Sequence, residues 1–525
     1  MSQFLAKSFR DKNGVDQPQI VYYNAGVGTE STWWGRHAGG ALGVGLDEDV
    51  CEIYNFLAIN YEEGDELFFF GFSRGAFTAR AAAGLVCRVG LCETYMLHRF
   101  WEMYAVYQTL GPEELIENSE WVKSPHPESE AHFWLNVRGE MVPVKKGSGQ
   151  DWFTDRYADN VSVKVVGVWD TVGALGIPSN TLWDVTTANQ KYGFHDTRLN
   201  VKDVWKSHIE NAFHALALDE HRASFPPTLW TLPADSDDVL IQCWFPGVHI
   251  NVGGGNKDSI ENKLSDLELL ANITFAWMVD RCAPFLKFDS ASQLKTLNLY
   301  VEAAVRVEQE YQTKMKGNSL GRVVDSLQGI YKTGGSTIRT PGAYFLDDPT
   351  KRLQLATNEC IHPVVWLAKQ EYNYRLTPLD GFERVVGPGG GHYFTKSYTP
   401  KETLYLMDKT KAVLAFPYRY FFPGKKKESP KIVVNLPEFV IPAKLSDDPE
   451  LEHLESWERG LIIFAYRART LTQNRNSPAA AKVSDAEAQA YLATIDKANG
   501  NLVKKQWSKI ARREFPPPLK FLTDE

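Results

Sequence analysis

The chain has 525 residues, of which 43% are hydrophobic and 23% are charged, and its formal net charge is −8. A chain of this length predicts two or three domains, and its apolar content is sufficient for a large core, which excludes wholesale disorder. The acidic balance argues against nucleic acid as a partner, because the binding of phosphates requires a basic face.

The N-terminus and the cysteines indicate the cellular compartment. The opening segment M-S-Q-F-L-A-K-S-F-R has neither an apolar stretch nor a cleavage site, so no signal peptide is expected. No apolar run reaches the ~18–20 residues that a membrane helix needs. The six cysteines form no C-x-x-C pair and are too sparse for an extracellular disulfide framework. We therefore expect a cytoplasmic protein with reduced thiols.

Strand-like and helix-like segments alternate along the first 290 residues. In chain order, the predicted elements are a strand at 18–23 with a glycine-rich turn at 25–29, a helix at 46–61, a strand at 65–72, a helix at 77–86, a strand at 161–169, an amphipathic helix at 203–218 and a strand at 238–245. Several of the strands are short, continuous apolar runs, which are typical of strands buried in a parallel sheet. The alternation predicts an α/β fold, with a mostly parallel sheet and helices on both faces.

The segment G-F-S-R-G, centred on Ser73, lies between a strongly apolar strand and an alanine-rich helix. A sharp strand-to-helix turn lifts a serine hydroxyl clear of the sheet, and small residues such as Gly71 and Gly75 avoid collisions in the turn. The backbone N–H of Arg74 then lies at a helix N-terminus, where it can stabilise an oxyanion. A bare G-x-S-x-G occurs by chance in many large proteins. The strand–turn–helix setting favours a nucleophile elbow and an α/β-hydrolase-like fold.

A serine nucleophile needs a base and an acid that orients the base, and in this fold they follow the serine in the order Asp or Glu, then His. Asp170 ends the apolar strand 161–169, and His249 lies in a glycine-rich turn after the strand 238–245. Taken alone, Asp170 is better explained as a turn cap, and a hydrogen-bonded loop residue is the alternative explanation for His249. Their order and their positions at strand ends favour the catalytic interpretation.

The stretch around 215–220 supplies further candidates. His214 and His221 flank this stretch, which contains Asp219, and Arg222 follows it. These side chains could support the catalytic residues from behind or bind a polar head group, although helix-borne histidines are more often structural. No set of His, Cys and Glu has the spacing of a zinc site, so no metal is expected.

Residues 1–290 are therefore predicted to form an α/β-hydrolase catalytic domain, and residues 291–525 a region appended to it. Two stretches of the first domain, 94–157 and 176–235, interrupt the alternation of strands and helices. Both are candidates for a lid over the site, and the first could instead lie on the surface without such a role.

The appended region is expected to be irregular and mostly helical, with helical patterns at 291–312 and 484–512, and to pack against the catalytic domain. Residues 417–427, P-Y-R-Y-F-F-P-G-K-K-K, join aromatic side chains to a run of lysines, which suits peripheral contact with a membrane. A strand that ends in a solvated basic turn explains the same composition, and we favour it.

Six segments in this order resemble a known family: Y-Y-N-A-G-V-G-T, G-F-S-R-G-A-F-T-A-R, G-V-W-D-T-V-G-A-L-G, A-L-D-E-H-R-A-S-F-P-P, W-F-P-G-V-H-I-N-V-G-G-G and L-S-D-L-E-L-L-A-N-I-T-F-A-W-M. The chain resembles the α/β-hydrolase domain family that includes type VI secretion phospholipase effectors, with their Tle-one-like catalytic domain, and many fungal proteins. The resemblance implies Ser73 as nucleophile, Asp170 as acid and His249 as base. It also implies hydrolysis of phospholipids or other acyl esters without a cofactor.

The chain departs from that family in one respect. Members usually open with an apolar strand that ends in D-G-T, and no such motif precedes Y-Y-N-A-G-V-G-T here. If the D-G-T turn supplies an oxyanion donor in relatives, the substitute candidates are the backbone amides of Gly26, Val27 and Gly28. Loss of one such donor typically costs about 10²–10³ in kcat.

The leading hypothesis is a serine hydrolase that cleaves a lipid-like carboxylic ester through an acyl-enzyme. A binding or scaffold protein on a weakened hydrolase fold is the alternative that the missing motif motivates. Acyl transfer to an alcohol is a third hypothesis, because the same three residues permit it.

Overall fold

The computed structural model describes a large part of the chain in separate ranges: 1–10, 13–24, 44–111, 114–123, 131–154, 156–158, 161–172, 199–200, 208–223, 225–233, 236, 238–255, 268–289, 292–293, 295–296, 299–300, 303–304, 307, 320–323, 325–327, 335–343, 354–371, 374–387, 391–398, 432–441, 457–458, 461–462 and 465. The strands are β1 (Ser8–Arg10), β2 (Asp16–Pro18), β3 (Glu66–Phe72), β4 (Leu91–Cys92), β5 (His132–Val137), β6 (Glu140–Lys145), β7 (Arg156–Ala158), β8 (Ser162–Trp169), β9 (Ile209–Ala217), β10 (Leu232–Pro233), β11 (Val239–Phe245), β12 (Leu355–Ala356), β13 (Glu359–Ile361), β14 (Glu383–Val386), β15 (His392–Tyr398) and β16 (Ile432–Pro437). The helices are α1 (Val44–Asn60), α2 (Arg74–Val89), α3 (Phe100–Thr109), α4 (Gln150–Thr154), α5 (His249–Gly253), α6 (Glu268–Cys282) and α7 (Pro363–Glu371), with 3₁₀ turns at Thr94–Arg99, Ile116–Asn118 and Thr377–Leu379.

A five-stranded sheet in the order β13-β11-β9-β8-β3 forms the centre of the fold, and every neighbouring pair is parallel. Side chains of β8 enter two separate cores. Val166 and Val168 pack in a cluster with residues of α1, α2 and α3, whereas Val165 packs in a cluster with residues of α6. Helices therefore cover both faces of a parallel sheet, which confirms the predicted α/β fold.

The predicted amphipathic helix at 203–218 is wrong, because residues 209–217 form the central strand β9. Eight of its nine residues are buried, since β9 has strands on both sides and helices on both faces. A continuous apolar run of this kind cannot be separated from a buried helix by periodicity alone. Residues 209–217 thus belong to the sheet, although they lie inside the candidate lid insertion 176–235.

The predicted strand at 18–23 is also wrong. Strand β2 pairs with β1 and ends at Pro18, and the described residues that follow it, through Asn24, form no strand. Ile20 is 67% exposed and Tyr23 is 73% exposed, so this apolar run does not enter the core. Within the described ranges, β3 pairs with β8 alone. The glycine-rich turn at 25–29 lies outside the described residues.

The candidate lid insertion 94–157 contains α3, the hairpin β5–β6 and α4. Trp121 and Trp152 are fully buried here and belong to the same hydrophobic cluster as Tyr54 of α1. These residues therefore pack firmly against the helices on one face of the sheet.

Beyond residue 290, the described residues include strands as well as helices. Strand β13 extends the central sheet by pairing with β11, and β14, β15 and β16 form a separate antiparallel sheet. Every described residue from 292 to 307 is helical, as predicted for 291–312. The predicted helical pattern at 484–512 and the basic segment 417–427 lie outside the described residues.

A buried polar contact joins the C-terminal region to α6. The carboxylate of Asp280 accepts hydrogen bonds from the backbone N–H groups of Trp457 and Glu458, each at 2.9 Å. The Glu458 side chain hydrogen-bonds to His362, and the His362 ring stacks on Phe245 with centroids 4.3 Å apart. The appended region thus packs into the core of the sheet.

No helix within the described ranges combines the length and the apolar character needed to cross a bilayer.

Candidate active site

Ser73 occupies the sharp turn between β3 and α2. Its backbone has φ 58° and ψ −118°, and such a conformation in a non-glycine residue costs about 1–3 kcal/mol. The turn is held by a hydrogen bond of 3.1 Å from the Ser73 N–H to the carbonyl of Trp169 on β8. The strained turn projects Ser73 from the end of the sheet, as the G-x-S-x-G pattern predicts.

Two glycines flank this turn, and their surroundings differ. A Cβ on Gly71 would lie 2.1 Å from the carbonyl oxygen of Gly75, a distance that real Cβ atoms essentially never show. A Cβ on Gly75 would meet no atom within 4 Å among the described residues. The close approach of β3 and α2 therefore requires glycine at position 71, whereas the expected collision at position 75 is not found.

Ser73, His249 and Asp170 form a continuous chain of hydrogen bonds. The Ser73 Oγ lies 2.8 Å from His249 Nε2, and His249 Nδ1 lies 2.7 Å from Asp170 Oδ2. Asp170 follows the last residue of β8 with φ 41°, and His249 is the first residue of α5, just after β11. The ends of three parallel strands thus bring together three side chains that are far apart in sequence.

Two aromatic rings restrict the imidazole of His249. The Phe72 ring lies 4.6 Å from it between centroids, and the Phe225 ring meets it edge-on at 5.2 Å. Only 7% of His249 is exposed. Because both rings limit rotation, the imidazole is held with one nitrogen towards Ser73 and the other towards Asp170.

Arg339 holds the carboxylate of Asp170, which is fully buried. The Nη1 of Arg339 lies 2.6 Å from Asp170 Oδ1, and its Nη2 lies 3.1 Å from Asp170 Oδ2. The backbone N–H of Ala217 donates a further hydrogen bond of 2.9 Å to Oδ1. Burial by itself raises the pKa of Asp170, but the charges of Arg339 and His249 outweigh it and hold this pKa below its ordinary value. Asp170 is therefore a buried anion.

Sequence reasoning did not identify Arg339. It lies beyond the predicted boundary at 290, in the segment G-S-T-I-R-T-P-G, which carries no recognisable motif. Only the folded chain brings it to the end of β8.

Asp219 and Glu220 shape the loop that carries His249. Asp219 Oδ2 accepts a hydrogen bond of 2.6 Å from the N–H of Gly247, and Glu220 Oε2 accepts one of 3.2 Å from the N–H of His249. Burial raises the pKa of Asp219 to about 7. Glu220 is also buried, but the ion pair with Arg222 lowers its pKa to about 2. Asp219 thus contacts the loop that carries His249, and Arg222 contacts Glu220, which sequence reasoning missed.

His214 and His221 are not helix-borne, contrary to the prediction. His214 lies on β9, where its Nε2 accepts the Thr171 N–H at 3.0 Å and its Nδ1 faces Gln242 Oε1 at 3.2 Å. Burial and the charge of Arg80 lower the pKa of His214 to about 3, so this histidine is a neutral structural residue. His221 lies in a loop, with Nε2 3.0 Å from Asp325 Oδ1.

Of the candidate oxyanion donors, Arg74 lies among the described residues. Arg74 is the first residue of α2 and directly follows Ser73, so its N–H lies at the helix end that carries partial positive charge. Gly26, Val27 and Gly28 lie outside the described residues.

Comparison with known proteins identifies the family. A family model described as "T6SS, Phospholipase effector Tle1-like, catalytic domain" matches residues 2–281. The uncharacterized protein YEL023C of Saccharomyces cerevisiae is 26% identical over 236 residues, which cover 42% of this chain and 28% of the yeast protein. The chain thus matches little more than a quarter of that relative's length, and no solved structure matches it. Because the family model covers more than half of the chain, the chain belongs to the family of Tle1-like phospholipase effector catalytic domains, as its motifs indicate.

Proposed function

We propose that the protein is a serine hydrolase that cleaves a carboxylic ester of a lipid-like substrate. The observation that carries this proposal is the hydrogen-bonded chain from Ser73 through His249 to Asp170, with distances of 2.8 and 2.7 Å. A hydroxyl, an imidazole and a buried carboxylate in this order are the parts of a nucleophilic acyl-transfer site. Membership of a phospholipase family supports a lipid ester as substrate.

In the proposed mechanism, the Ser73 Oγ attacks the acyl carbon while His249 Nε2 takes the hydroxyl proton. Asp170 holds the imidazole and stabilises its positive charge. The N–H of Arg74 donates to the oxyanion of the tetrahedral intermediate. His249 then gives its proton to the leaving alcohol, and the acyl group remains on Ser73. A water molecule, deprotonated by His249, releases the acid and restores the serine.

The strain at Ser73 fits this role. A residue held at φ 58° is maintained against a conformational cost, and such residues concentrate at functional sites. The hydrogen bond from the Ser73 N–H to Trp169 and the contact of Gly71 with the α2 backbone both fix the turn. The hydroxyl is thereby oriented before substrate binds.

The test is Ser73→Ala, assayed with p-nitrophenyl esters and with phospholipid vesicles. We expect the variant to lose turnover and to lose labelling by a fluorophosphonate, which reacts with an activated serine. Ser162→Ala is the matched control, because Ser162 begins β8 at the end opposite Asp170 and its hydroxyl contacts Glu210 at 3.0 Å. Turnover in Ser73→Ala that equals that of wild type and of Ser162→Ala would contradict the proposal.

A binding protein on a weakened hydrolase site is the second candidate. The observation that favours it is that β3 pairs with β8 alone among the described residues, while the segment 18–23 forms no central strand. Wild-type protein that is folded but does not react with the fluorophosphonate supports this candidate. If the serine does react, product analysis with competing alcohols separates hydrolysis from acyl transfer.

A further inference from the structure

The segment 335–343 lies against the loop that follows β9. Arg222 and Ser336 form an antiparallel bridge, and the N–H of Thr337 donates to the carbonyl of His221 at 2.9 Å. At the other end of the segment, the N–H of Gly342 donates to Glu359 Oε1 on β13 at 2.8 Å. The segment is thus attached both to the loop beside His249 and to the edge of the central sheet.

Arg339, in the middle of this segment, is 4% exposed and spreads its guanidinium over three parts of the chain. Nη1 donates to Asp170 Oδ1 at 2.6 Å and to the carbonyl of Ala217 at 2.5 Å. Nη2 donates to Asp170 Oδ2 at 3.1 Å and to the carbonyl of Phe225 at 3.0 Å. Phe225 is the residue whose ring meets His249 edge-on. The Arg339 side chain therefore holds both the carboxylate of Asp170 and the backbone of Phe225, whose ring packs against the imidazole of His249.

This arrangement has two physical consequences for the hydrogen-bonded chain. The planar fork of an arginine fixes the plane of a carboxylate, which leaves Asp170 Oδ2 directed at His249 Nδ1. The positive charge of Arg339 also offsets the negative charge of Asp170. A positive charge on the imidazole is therefore stabilised less than it would be beside an unpaired carboxylate.

We propose that Arg339 is a positioning residue of this site, which holds Asp170 against His249 and, through its charge, affects the pH dependence of the reaction at Ser73. The inference rests on the proposed function, but it assigns a role to a residue outside the matched range 2–281. It means that the site is completed by the C-terminal region.

Other charged groups lie near the site among the described residues. Glu220 meets the N–H of His249, but its charge is balanced by Arg222 at 2.9 Å. Among the described residues, titratable and charged groups lie around the site on several elements. They are Asp170 after β8, His214 on β9, Asp219, Glu220, His221 and Arg222 in the loop after β9, Arg74 and Arg80 on α2, His249 on α5, and Arg339. Of these, Arg339 is the cation in direct contact with Asp170.

The sign of the effect follows from this charge balance. Removing the charge of Arg339 leaves one positive charge fewer around the coupled pair of Asp170 and His249. The pair then takes up a proton more readily, at a higher pH. The acid limb of the reaction is the pH range over which its rate falls as the pH is lowered. This limb must therefore move to higher pH when arginine is replaced by a neutral residue, and stay in place when it is replaced by lysine.

The experiment measures the rate at which a fluorophosphonate labels Ser73 between pH 4 and 10, in wild type, Arg339→Met and Arg339→Lys. For Arg339→Met we expect the acid limb to rise by about 1 pH unit, since a neighbouring charge moves a pKa by about 1–3 units. For Arg339→Lys we expect no shift, but a plateau rate about 10- to 100-fold lower, because the fork that aligns Asp170 is lost. If Arg339 had a merely structural role, its replacement would lower the rate, but the acid limb would not move in Arg339→Met alone.

Arg384→Met is the matched control. Arg384 also forms a two-point ion pair with a carboxylate, at 2.6 and 2.9 Å from Glu438, but it lies on β14. We expect the labelling rate of Arg384→Met to show the same acid limb as that of wild type. Equal limbs in Arg339→Met and wild type overturn the proposal, and so does failure of both Arg339 variants to fold while Arg384→Met folds.

Failure of the proposed function gives a different result. In that case wild-type protein is not labelled at Ser73 at any pH. If wild type is labelled and the Arg339 variants behave like it, the proposed function stands and the inference about Arg339 fails.

Discussion

Replacing Gly71 by alanine tests the contact that builds the turn at Ser73. The new Cβ would lie 2.1 Å from the carbonyl oxygen and 2.4 Å from the carbonyl carbon of Gly75, where contacts under 3.0 Å do not occur. Both atoms are backbone in the first turn of α2, so no side chain can rotate away. Relief requires α2 and β3 to separate by about 0.9 Å, the difference between 3.0 and 2.1 Å.

The cost of this separation determines how far the free energy of unfolding should fall in Gly71→Ala. Overpacking a core typically costs about 1–3 kcal/mol, and a clash between two backbones lies at the upper end, so we expect the free energy of unfolding to fall by about 3 kcal/mol. Displacing the Ser73 hydroxyl by nearly 1 Å from the imidazole should slow phosphonate labelling by about 100-fold. Urea unfolding followed by tryptophan fluorescence measures the first quantity, as a lower midpoint at an unchanged slope.

Gly75→Ala is the control, because the same side chain is added two residues beyond Ser73. A Cβ there meets no described atom within 4 Å, and alanine in place of glycine inside a helix stabilises by about 0.5–1 kcal/mol. We expect its free energy of unfolding to equal or exceed that of wild type. Equal stability of Gly71→Ala and wild type, or equal loss in both variants, would refute the argument from close approach.

Two further predictions concern Asp219 and the C-terminal region. Burial raises the pKa of Asp219 from its ordinary 3.8 to about 7, so its contribution to stability is fully present below pH 3.8 and is lost as the pH rises through 7. Asp219→Asn keeps an acceptor for the Gly247 N–H, and we expect thermal unfolding to show a smaller loss of stability than wild type over this pH range; equal losses would contradict the assignment. Deletion of residues 291–525 removes β13, Arg339 and the fully buried Leu461 and Ala465, so the fragment should be insoluble or unreactive with the fluorophosphonate. A soluble fragment that is labelled at Ser73 would contradict this expectation.

The elements that sequence predicted correctly are those with strong local patterns. Strands β3, β8 and β11 are short apolar runs. Ser73 directly follows the first, Asp170 directly follows the second, and the turn before His249 follows the third, so their patterns indicated both the fold and the candidate site. Helices α1 and α2 likewise have continuous helical spacing. In a parallel sheet the carboxyl ends of the strands lie at one edge, which is why positions so far apart in sequence could be expected to meet.

The elements that sequence predicted wrongly, or missed, depend on distant contacts. Strand β9 resembles a helix because both of its faces are buried, and the apolar run at 18–23 resembles a strand although it finds no partner in the sheet. Arg339 has no local signal, because its role is defined by a carboxylate 169 positions earlier in the chain. Glu220 pairs locally with Arg222, but its contacts with His249 and Ser326 are distant in sequence, so its place beside the imidazole had no local signal.

The entry of β13 into the sheet has a consequence for biosynthesis. Trp244 on β11 donates a hydrogen bond to Glu359 on β13, and the two residues are 115 positions apart. At about 5–20 residues per second, a ribosome takes roughly 6–23 s to add that stretch. Until β13 is made, β11 lacks the neighbour that β13 provides among the described strands, and open edges template pairing with other chains. We therefore expect chains that end before β13 to aggregate more readily than the full chain.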